Sequence, residues 1–407
     1  MKAKSEMKIL FKGSRLSGGA PRSALRYIDV LKNDGHRITA LVQENDSYLK
    51  KEYLKATDLL VCQKDLSSFL WEHDYFRAYK LIKQNYRFIK ENNFDLLLID
   101  GFLNDYFFGD YCQKRGIPTI TMIAGGDLTI YEYALPYCQS DHFICFSKEN
   151  REVLTKLVDE DKITVISNRI ETKECFNDYC EHYCLNVTDT VNVLIASRIH
   201  KDKYDSLVRL VNTVNLVAGE QRKIYLVIAG DGDRMSDLRD YCSSLNNPFF
   251  TVELKGHVDD LIPCFESAHI VVGKGRSVLE PMMMNRIGCV IGDDGRLEVC
   301  TTENFDNLYH YNFSGRHLEK DDPQAELSGL IDSLMDGTFD FSDFEKTVEL
   351  IRKNYSAEYL PDKLHKVLDS IEEPKKGFSF VSPLLLTLRY IWLKIIRKIR
   401  RRFYNGK

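Results

Sequence analysis

Apolar residues fall along this chain in short continuous runs, separated by segments with a helical period. Residues 7–11 form the first strand-like run, and a glycine-rich loop over 13–19 leads into a helix near Pro21. Proline suits a first helical turn, and Ala24, Leu25, Ile28 and Leu31 fall on one helical face. Gly35 reads as a helix stop and 37–42 as the next strand. A charged helical region over 70–92 precedes three further strands, at 96–99, 119–123 and 142–146. Continuously apolar strands separated by helices predict parallel strands buried on both faces.

The pattern restarts in the second half. A strand at 192–196 is followed by a polar loop and a helix from Asp205. Another at 224–229 ends in Gly230-Asp231-Gly232, and runs at 251–254, 269–272 and 289–291 continue the series. Residues 169–189 are polar and lack clear periodicity, which marks an interdomain linker. The expected fold class is therefore α/β, with two doubly wound Rossmann-like domains. An N-terminal domain over 1–170, a linker over 171–190 and a C-terminal domain over 191–345 are expected. Closing helices over 346–373, with the option of packing back on the N-terminal domain, and a tail over 374–407 complete the division. Two such domains facing each other would leave a cleft at the carboxyl ends of both sheets, where ligands bind in such folds.

Composition narrows the class. The 407 residues suit two or three domains, and 44% apolar with 29% charged residues describes an ordinary globular protein. A formal net charge of −4 argues against a general nucleic-acid binder. The first six residues are too short and charged for a signal peptide, and no apolar run is long enough to span a bilayer. The 11 cysteines are odd in number and scattered, so reduced thiols in a cytosolic protein are expected. Cys175, Cys180, His182 and Cys184 match no common zinc spacing and read as reduced linker cysteines; no metal site is expected.

The most informative stretch is 273–285, where Gly273-Lys274-Gly275-Arg276 leads into a helical run carrying Glu280. Glycines allow close backbone approach to a ligand, and a helix N-terminus favours phosphate. Four other segments fall in order with it. They are Gly18-Gly19 before a helix, Ala124-Gly125-Gly126-Asp127 after a strand, Phe146-Ser147 with 165–168, and Ser197-Arg198 with Lys203. Together they resemble a GT-B glycosyltransferase, most similar to family 4 of the retaining enzymes, over roughly 7–370. Arg198 and Lys203 match the family's Arg–x4–Lys loop, and Gly275 and Glu280 match the glycine and second glutamate of its Glu–x7–Glu motif. Gly125 and Asp127 resemble its His-Gly-x-Asp element. Gly230-Asp231-Gly232 resembles its Gly-x-Gly element and is expected to shape the cleft.

What the resemblance implies agrees with the chemistry of these residue types. A nucleotide-diphosphate-sugar donor loses its diphosphate, and negative charge builds on the leaving phosphate. Arg198 and Lys203, expected on the loop after the first strand of the second domain, would stabilise that charge. Arg198, Lys203 and Asp127 are the expected catalytic residues. Gly18, Gly19, Gly125, Gly275, Arg276 and Glu280 are the expected substrate-binding residues, with Glu280 accepting from the ribose hydroxyls. The donor is a substrate, and neither cofactor nor metal is expected. Two departures bear on the sugar: Val272 stands where the motif has its first glutamate, and Ala124 where the family has histidine.

The tail adds a partner. Ser382-Pro383 offers a helix start, after which Leu385, Leu388, Trp392, Ile395, Ile396, Ile399 and Phe403 share one face. Lys394, Arg397, Arg400, Arg401 and Arg402 gather away from it. An apolar face bearing tryptophan, with a basic opposite side, predicts an amphipathic helix lying on a membrane surface. The expectation is a retaining glycosyltransferase on the cytoplasmic side of a bacterial membrane. It would transfer a sugar to a lipid-linked saccharide in cell-surface polysaccharide assembly. The alternative is a non-catalytic nucleotide-sugar-binding subunit of a membrane complex.

Overall fold

The structure is a computed structural model of the chain, describing residues 6–16, 18–43, 49–64, 66–125, 128, 140–171, 187, 190–371 and 382–404. It divides into two compact units, one of Met1–Ser167 with Leu360–Lys407, the other of Asn168–Tyr359. The closing region is shared between them. The helix Phe341–Tyr355 goes with the second unit, and the helix Leu360–Ser370 with the first.

The first unit holds seven strands. They are β1 (Lys8–Arg15), β2 (Arg37–Gln43), β3 (Leu59–Gln63), β4 (Leu96–Asp100), β5 (Thr119–Ile123), β6 (His142–Cys145) and β7 (Ile163–Val165). They form one parallel sheet in the order β3-β2-β1-β4-β5-β6-β7. Alternate residues of each strand serve opposite faces. Ile9 and Phe11 pack with Ala24, Leu25 and Ile28 of the helix Gly19–Asn33 and with Leu360, Leu364 and Val367. Leu10 and Leu97 pack with Leu81 and Ile82 of the helix Tyr75–Asn92 and with Tyr106 and Phe107 of Phe102–Gln113.

The second unit holds β8 (Thr190–Ala196), β9 (Lys223–Ala229), β10 (Phe250–Gly256), β11 (Ile270–Gly273), β12 (Ile287–Ile291) and β13 (Leu297–Val299). Their order is β10-β9-β8-β11-β12-β13, parallel except for the antiparallel last pair. In both sheets the strand order reverses beside the first strand, at β1/β4 and at β8/β11. Crevices at such reversal points, beyond the carboxyl ends of the strands, are where doubly wound sheets bind ligands.

Several local expectations change. β1 runs through Gly13 to Arg15, because Arg15 still pairs with Gln43 after a shift in register. The helical region expected over 70–92 is two helices, Leu66–Trp71 and Tyr75–Asn92. His73 between them has φ 61°, and the Asp74 carboxylate caps the second by accepting from Arg77 N–H at 3.1 Å. β3, β7 and β13 lie outside the predicted strands. The helix expected from Asp205 begins at Lys201, where Lys203 N–H already bonds to the His200 carbonyl at 2.9 Å. Lys203 is thus a first-turn helical residue rather than a loop residue.

The C-terminal helix spans Pro383–Tyr404, and Leu385 N–H donates to Ser382 Oγ at 3.4 Å. Its apolar residues occupy two faces, not one. Leu386 and Tyr390 are buried against the first unit, beside Tyr106 and Phe107. Leu385, Leu388, Trp392 and Ile395 face outward. Lys394 turns toward the unit as well, donating to the Leu70 carbonyl at 3.3 Å. The side chains of Arg397, Ile399, Arg400, Arg401, Arg402 and Phe403 lie outside the described residues. Among the described residues no helix is long and apolar enough to cross a membrane.

Candidate functional site

The reversal point of the second sheet collects most of the sequence-predicted chemistry. Ile195 of β8 pairs in register with Val272 of β11, so the residues just beyond each strand leave the sheet side by side. Ser197-Arg198 follow β8, and Lys274-Gly275-Arg276 follow β11. Arg198 is exposed, and its guanidinium has no partner among the described residues.

The Gly230-Asp231-Gly232 turn braces the Arg198 loop. Ile199 N–H donates to the Asp231 carbonyl at 3.0 Å, and Ser197 N–H to the Ala229 carbonyl at 3.1 Å. A Cβ at Gly230 would overlap the Ser197 carbonyl oxygen, and one at Gly232 the Ile199 carbonyl oxygen. Only glycine permits these strand-end loops to lie so close. His200 Nδ1 pairs with Asp233 at 2.8 Å on the same loop pair, and that bond is the main cause holding the Asp233 carboxyl below its ordinary range.

The second strand end is built around Gly275, which caps the helix Arg276–Met283 at φ 55°, a left-handed conformation that favours glycine. Its N–H is taken by the Phe313 carbonyl at 2.6 Å, so it is not a donor to a ligand here. Lys274 N–H bonds to Ser277 Oγ at 3.1 Å, which fixes the turn. Arg276 and Glu280, one helical turn apart, form an ion pair at 2.6 Å with both side chains mostly buried. Arg276 also donates to the Arg169 carbonyl at 2.6 Å. The Glu280 carboxylate, expected to accept from ribose hydroxyls, is therefore already engaged by Arg276.

Two lysines meet on one carboxylate. Lys203 Nζ lies 3.3 Å and Lys274 Nζ 2.5 Å from Asp293 Oδ1, in the loop after β12. Burial, with Lys203 nearby, holds the Lys274 ammonium pKa below its ordinary range. Partial burial opposes ionisation of Asp293, yet Lys274 and Lys203 together keep its carboxyl below the usual range. Of these three residues the sequence motifs mark Lys203 alone. A lone lysine between two glycines directly after an apolar strand was the available signal.

The departure at position 272 is complete in physical terms. Val272 is fully buried and belongs to the core with Ile195, Ile270 and Cys289.

In the first unit, Gly18 precedes the helix Gly19–Asn33 beyond β1, and Gly19 opens that helix. Gly101 follows β4 at the reversal point, and Gly125 lies exposed beyond β5 with a φ of 109°. Asp127 and Gly126 lie outside the described residues, as do Cys175, Cys180, His182 and Cys184. Among the described residues no group of three or more His, Cys, Asp or Glu side chains is placed to hold a metal ion.

Residues 17–174 match the family model of Glycosyltransferase Family 4. No curated protein matches the sequence. A glycosyltransferase from Rickettsia africae is similar in structure at a TM-score of 0.65 and 18% identity, over 90% of this chain and 99% of that one. HepE from Anabaena, solved with UDP and glucose, has a TM-score of 0.64 and 14% identity, over 90% of this chain and 100% of that one. The lipopolysaccharide outer core galactosyltransferase WaaB in its apo form has a TM-score of 0.58 and 14% identity, over 89% and 99%. These are proteins of the GT-B fold, and the chain shares that fold.

Proposed function

We propose, starting from a GT-B glycosyltransferase fold with the Family 4 pattern over residues 17–174, that the chain is a retaining glycosyltransferase using a nucleotide-diphosphate-sugar donor. The observation that carries this reading is the set of cations at the β8/β11 reversal point. Arg198 is available there, and Lys203 stands in the first turn of the next helix. A diphosphate leaving group gains charge as the sugar–oxygen bond breaks. Cations positioned beforehand stabilise that charge more than the ground state. Arginine forks two phosphate oxygens, and lysine adds a point charge. Charge stabilisation of this kind needs no metal.

In the retaining course, the acceptor hydroxyl attacks on the face that the diphosphate leaves. The departing phosphate takes the hydroxyl proton, so no protein nucleophile is needed. Glu280 serves the ribose hydroxyls once the donor competes with Arg276 for its oxygens. Gly18 and Gly19 beyond β1, with Gly125 and Asp127 beyond β5, serve the transferred sugar and the acceptor. That HepE was solved with UDP and glucose supports a UDP-sugar as the first donor to try.

The acceptor is a lipid-linked saccharide in bacterial surface polysaccharide assembly, reached from the inner face of the membrane. The outward stripe of Leu385, Leu388, Trp392 and Ile395 supports this, because a helix with that face inserts into the headgroup boundary. WaaB acts on lipopolysaccharide outer core by its description, which is chemistry of the same class.

The alternative, a non-catalytic donor-binding subunit, draws on the buried Val272 in place of a carboxylate. One experiment separates them. The purified chain is incubated with UDP- and GDP-sugars and a lipid-linked saccharide extract, and products are read by mass spectrometry. Turnover that falls about 100-fold in Arg198→Ala supports the enzyme. Donor binding without any product supports the subunit.

A further inference from the structure

We propose that Lys274 is a third cation of the diphosphate subsite, and that Asp293 is an internal counter-anion occupying the place a donor phosphate oxygen takes. The proposal deepens the donor reading above and rests on it.

Three observations carry it. First, the two ammonium groups reach the same carboxylate oxygen from different elements. Lys203 comes from the helix after β8 and Lys274 from the turn after β11, at 3.3 and 2.5 Å from Asp293 Oδ1. Two lysines share one acceptor oxygen only where an anion balances both, and a phosphate offers such oxygens with more charge. Second, burial is unequal. The lysine side chains are 31% and 20% exposed, against 68% for Asp293. The cations are held by the protein and the carboxylate sits on the solvent side, so an anion arriving from solvent displaces the carboxylate, not the lysines. Third, the backbone fixes Lys274. Its N–H donates to Ser277 Oγ and its carbonyl accepts from the same hydroxyl, both at 3.1 Å. A Cβ at the preceding Gly273 would overlap Ser277 Oγ and push that hydroxyl off its two bonds to Lys274.

The lowered ammonium pKa of Lys274 fits a cation drawn out of water and held beside another. Asp293 then has a definite role. It neutralises part of the cradle when the site is empty, and its displacement makes part of the cost of donor binding.

The test is calorimetric titration of the full chain with UDP, GDP, their nucleosides and inorganic pyrophosphate at fixed ionic strength. Lys274→Gln is expected to weaken nucleoside diphosphate and pyrophosphate binding about tenfold to a hundredfold, with nucleoside binding unchanged. Lys274→Arg keeps the charge and is expected to retain most of the affinity, which separates lost charge from lost folding. Asp293→Asn is expected to tighten diphosphate and pyrophosphate binding several-fold, because the lysines lose their competitor. Diphosphate binding unchanged in Lys274→Gln, or weakened in Asp293→Asn, overturns the proposal while leaving the donor reading intact. Wild-type chain that binds pyrophosphate through Lys274 but neither UDP nor GDP keeps the anion cradle and sinks the donor reading. Wild type that binds none of these probes sinks both.

Discussion

Truncating Trp392 to alanine should detach the chain from anionic membranes without disturbing its fold. Leu384, Leu385, Leu388, Trp392 and Ile395 are 53, 64, 52, 61 and 46% exposed on the C-terminal helix. Full burial of a leucine or isoleucine is worth about 1.5–3 kcal/mol, so each aliphatic residue of the stripe would contribute about 1 kcal/mol on insertion. A tryptophan presents roughly 200 Å², so its exposed part offers about 3 kcal/mol at ~25 cal/mol/Å². The whole stripe is worth about 7 kcal/mol before the ordering cost of binding a surface. Crediting the alanine methyl, Trp392→Ala should lose about 2 kcal/mol, a roughly 30-fold weaker partition. The assay is co-sedimentation of the full chain with vesicles containing phosphatidylglycerol, alongside thermal unfolding. The melting temperature should stay within about 1 °C, since the side chain packs on little within its own chain. Tyr390→Ala, by contrast, should lower it, because Tyr390 is buried against Tyr106 and Phe107. Equal sedimentation of Trp392→Ala and wild type, or no sedimentation of either, refutes the membrane reasoning. High salt should weaken attachment only in part, since it screens lysine and arginine but not the apolar stripe.

Two further outcomes follow from local geometry. Gly230→Ala should lower stability by about 1–3 kcal/mol and weaken UDP binding, because its Cβ would push the Ser197 carbonyl and with it the Arg198 loop; unchanged UDP titration in a folded variant would uncouple that turn from the site. His142 lies in β6 with its pKa lowered by burial to about 4, against 6.5 ordinarily. Above pH ~6.5 both folded and unfolded chains carry a neutral imidazole. Between ~6.5 and ~4 only the unfolded chain takes the proton, so stability falls by about 1.4 kcal/mol per pH unit, and below that window the loss is constant. Denaturant melts of wild type and His142→Gln at pH 7, 6 and 5 should differ by that slope, and parallel curves would show that His142 titrates normally.

Much of the fold was legible because buried parallel strands need continuous apolar runs. β4, β5, β8, β9 and β11 were found within a few residues. β3 and β13 sit at sheet edges, and β7 is only three residues long, so their patterns are short or half-exposed. The tail shows a different limit. Helical spacing assigned one apolar face, but Leu386 and Tyr390 make a second face that docks on the first unit. Periodicity cannot tell an apolar side chain that meets its own domain from one that meets something else. Lys274 was missed for a related reason. Its partner Asp293 is 19 residues away, and only the pairing of β11 with β12 brings the two strand ends together.

The charges at the β8/β11 reversal point show why residue type alone under-determines such a site. Lys203 and Lys274 share Asp293, Arg276 holds Glu280, and His200 holds Asp233. Each of these cations already has an acid, whereas the Arg198 guanidinium has none among the described residues. A sequence shows a run of positive residues, whereas the folded site is nearly balanced before any donor arrives. Diphosphate binding there is an exchange of anions more than a capture by bare charge. Affinity then depends on how loosely each acid is held. The Asp293 side chain is 68% exposed, so water screens its hold on the two lysines, whereas that of Glu280 is 13% exposed and shielded with its arginine. The diphosphate end of the donor should therefore seat before the ribose end. Adding a nucleoside without phosphates should leave the Arg276–Glu280 pair closed, whereas a nucleoside diphosphate should open it.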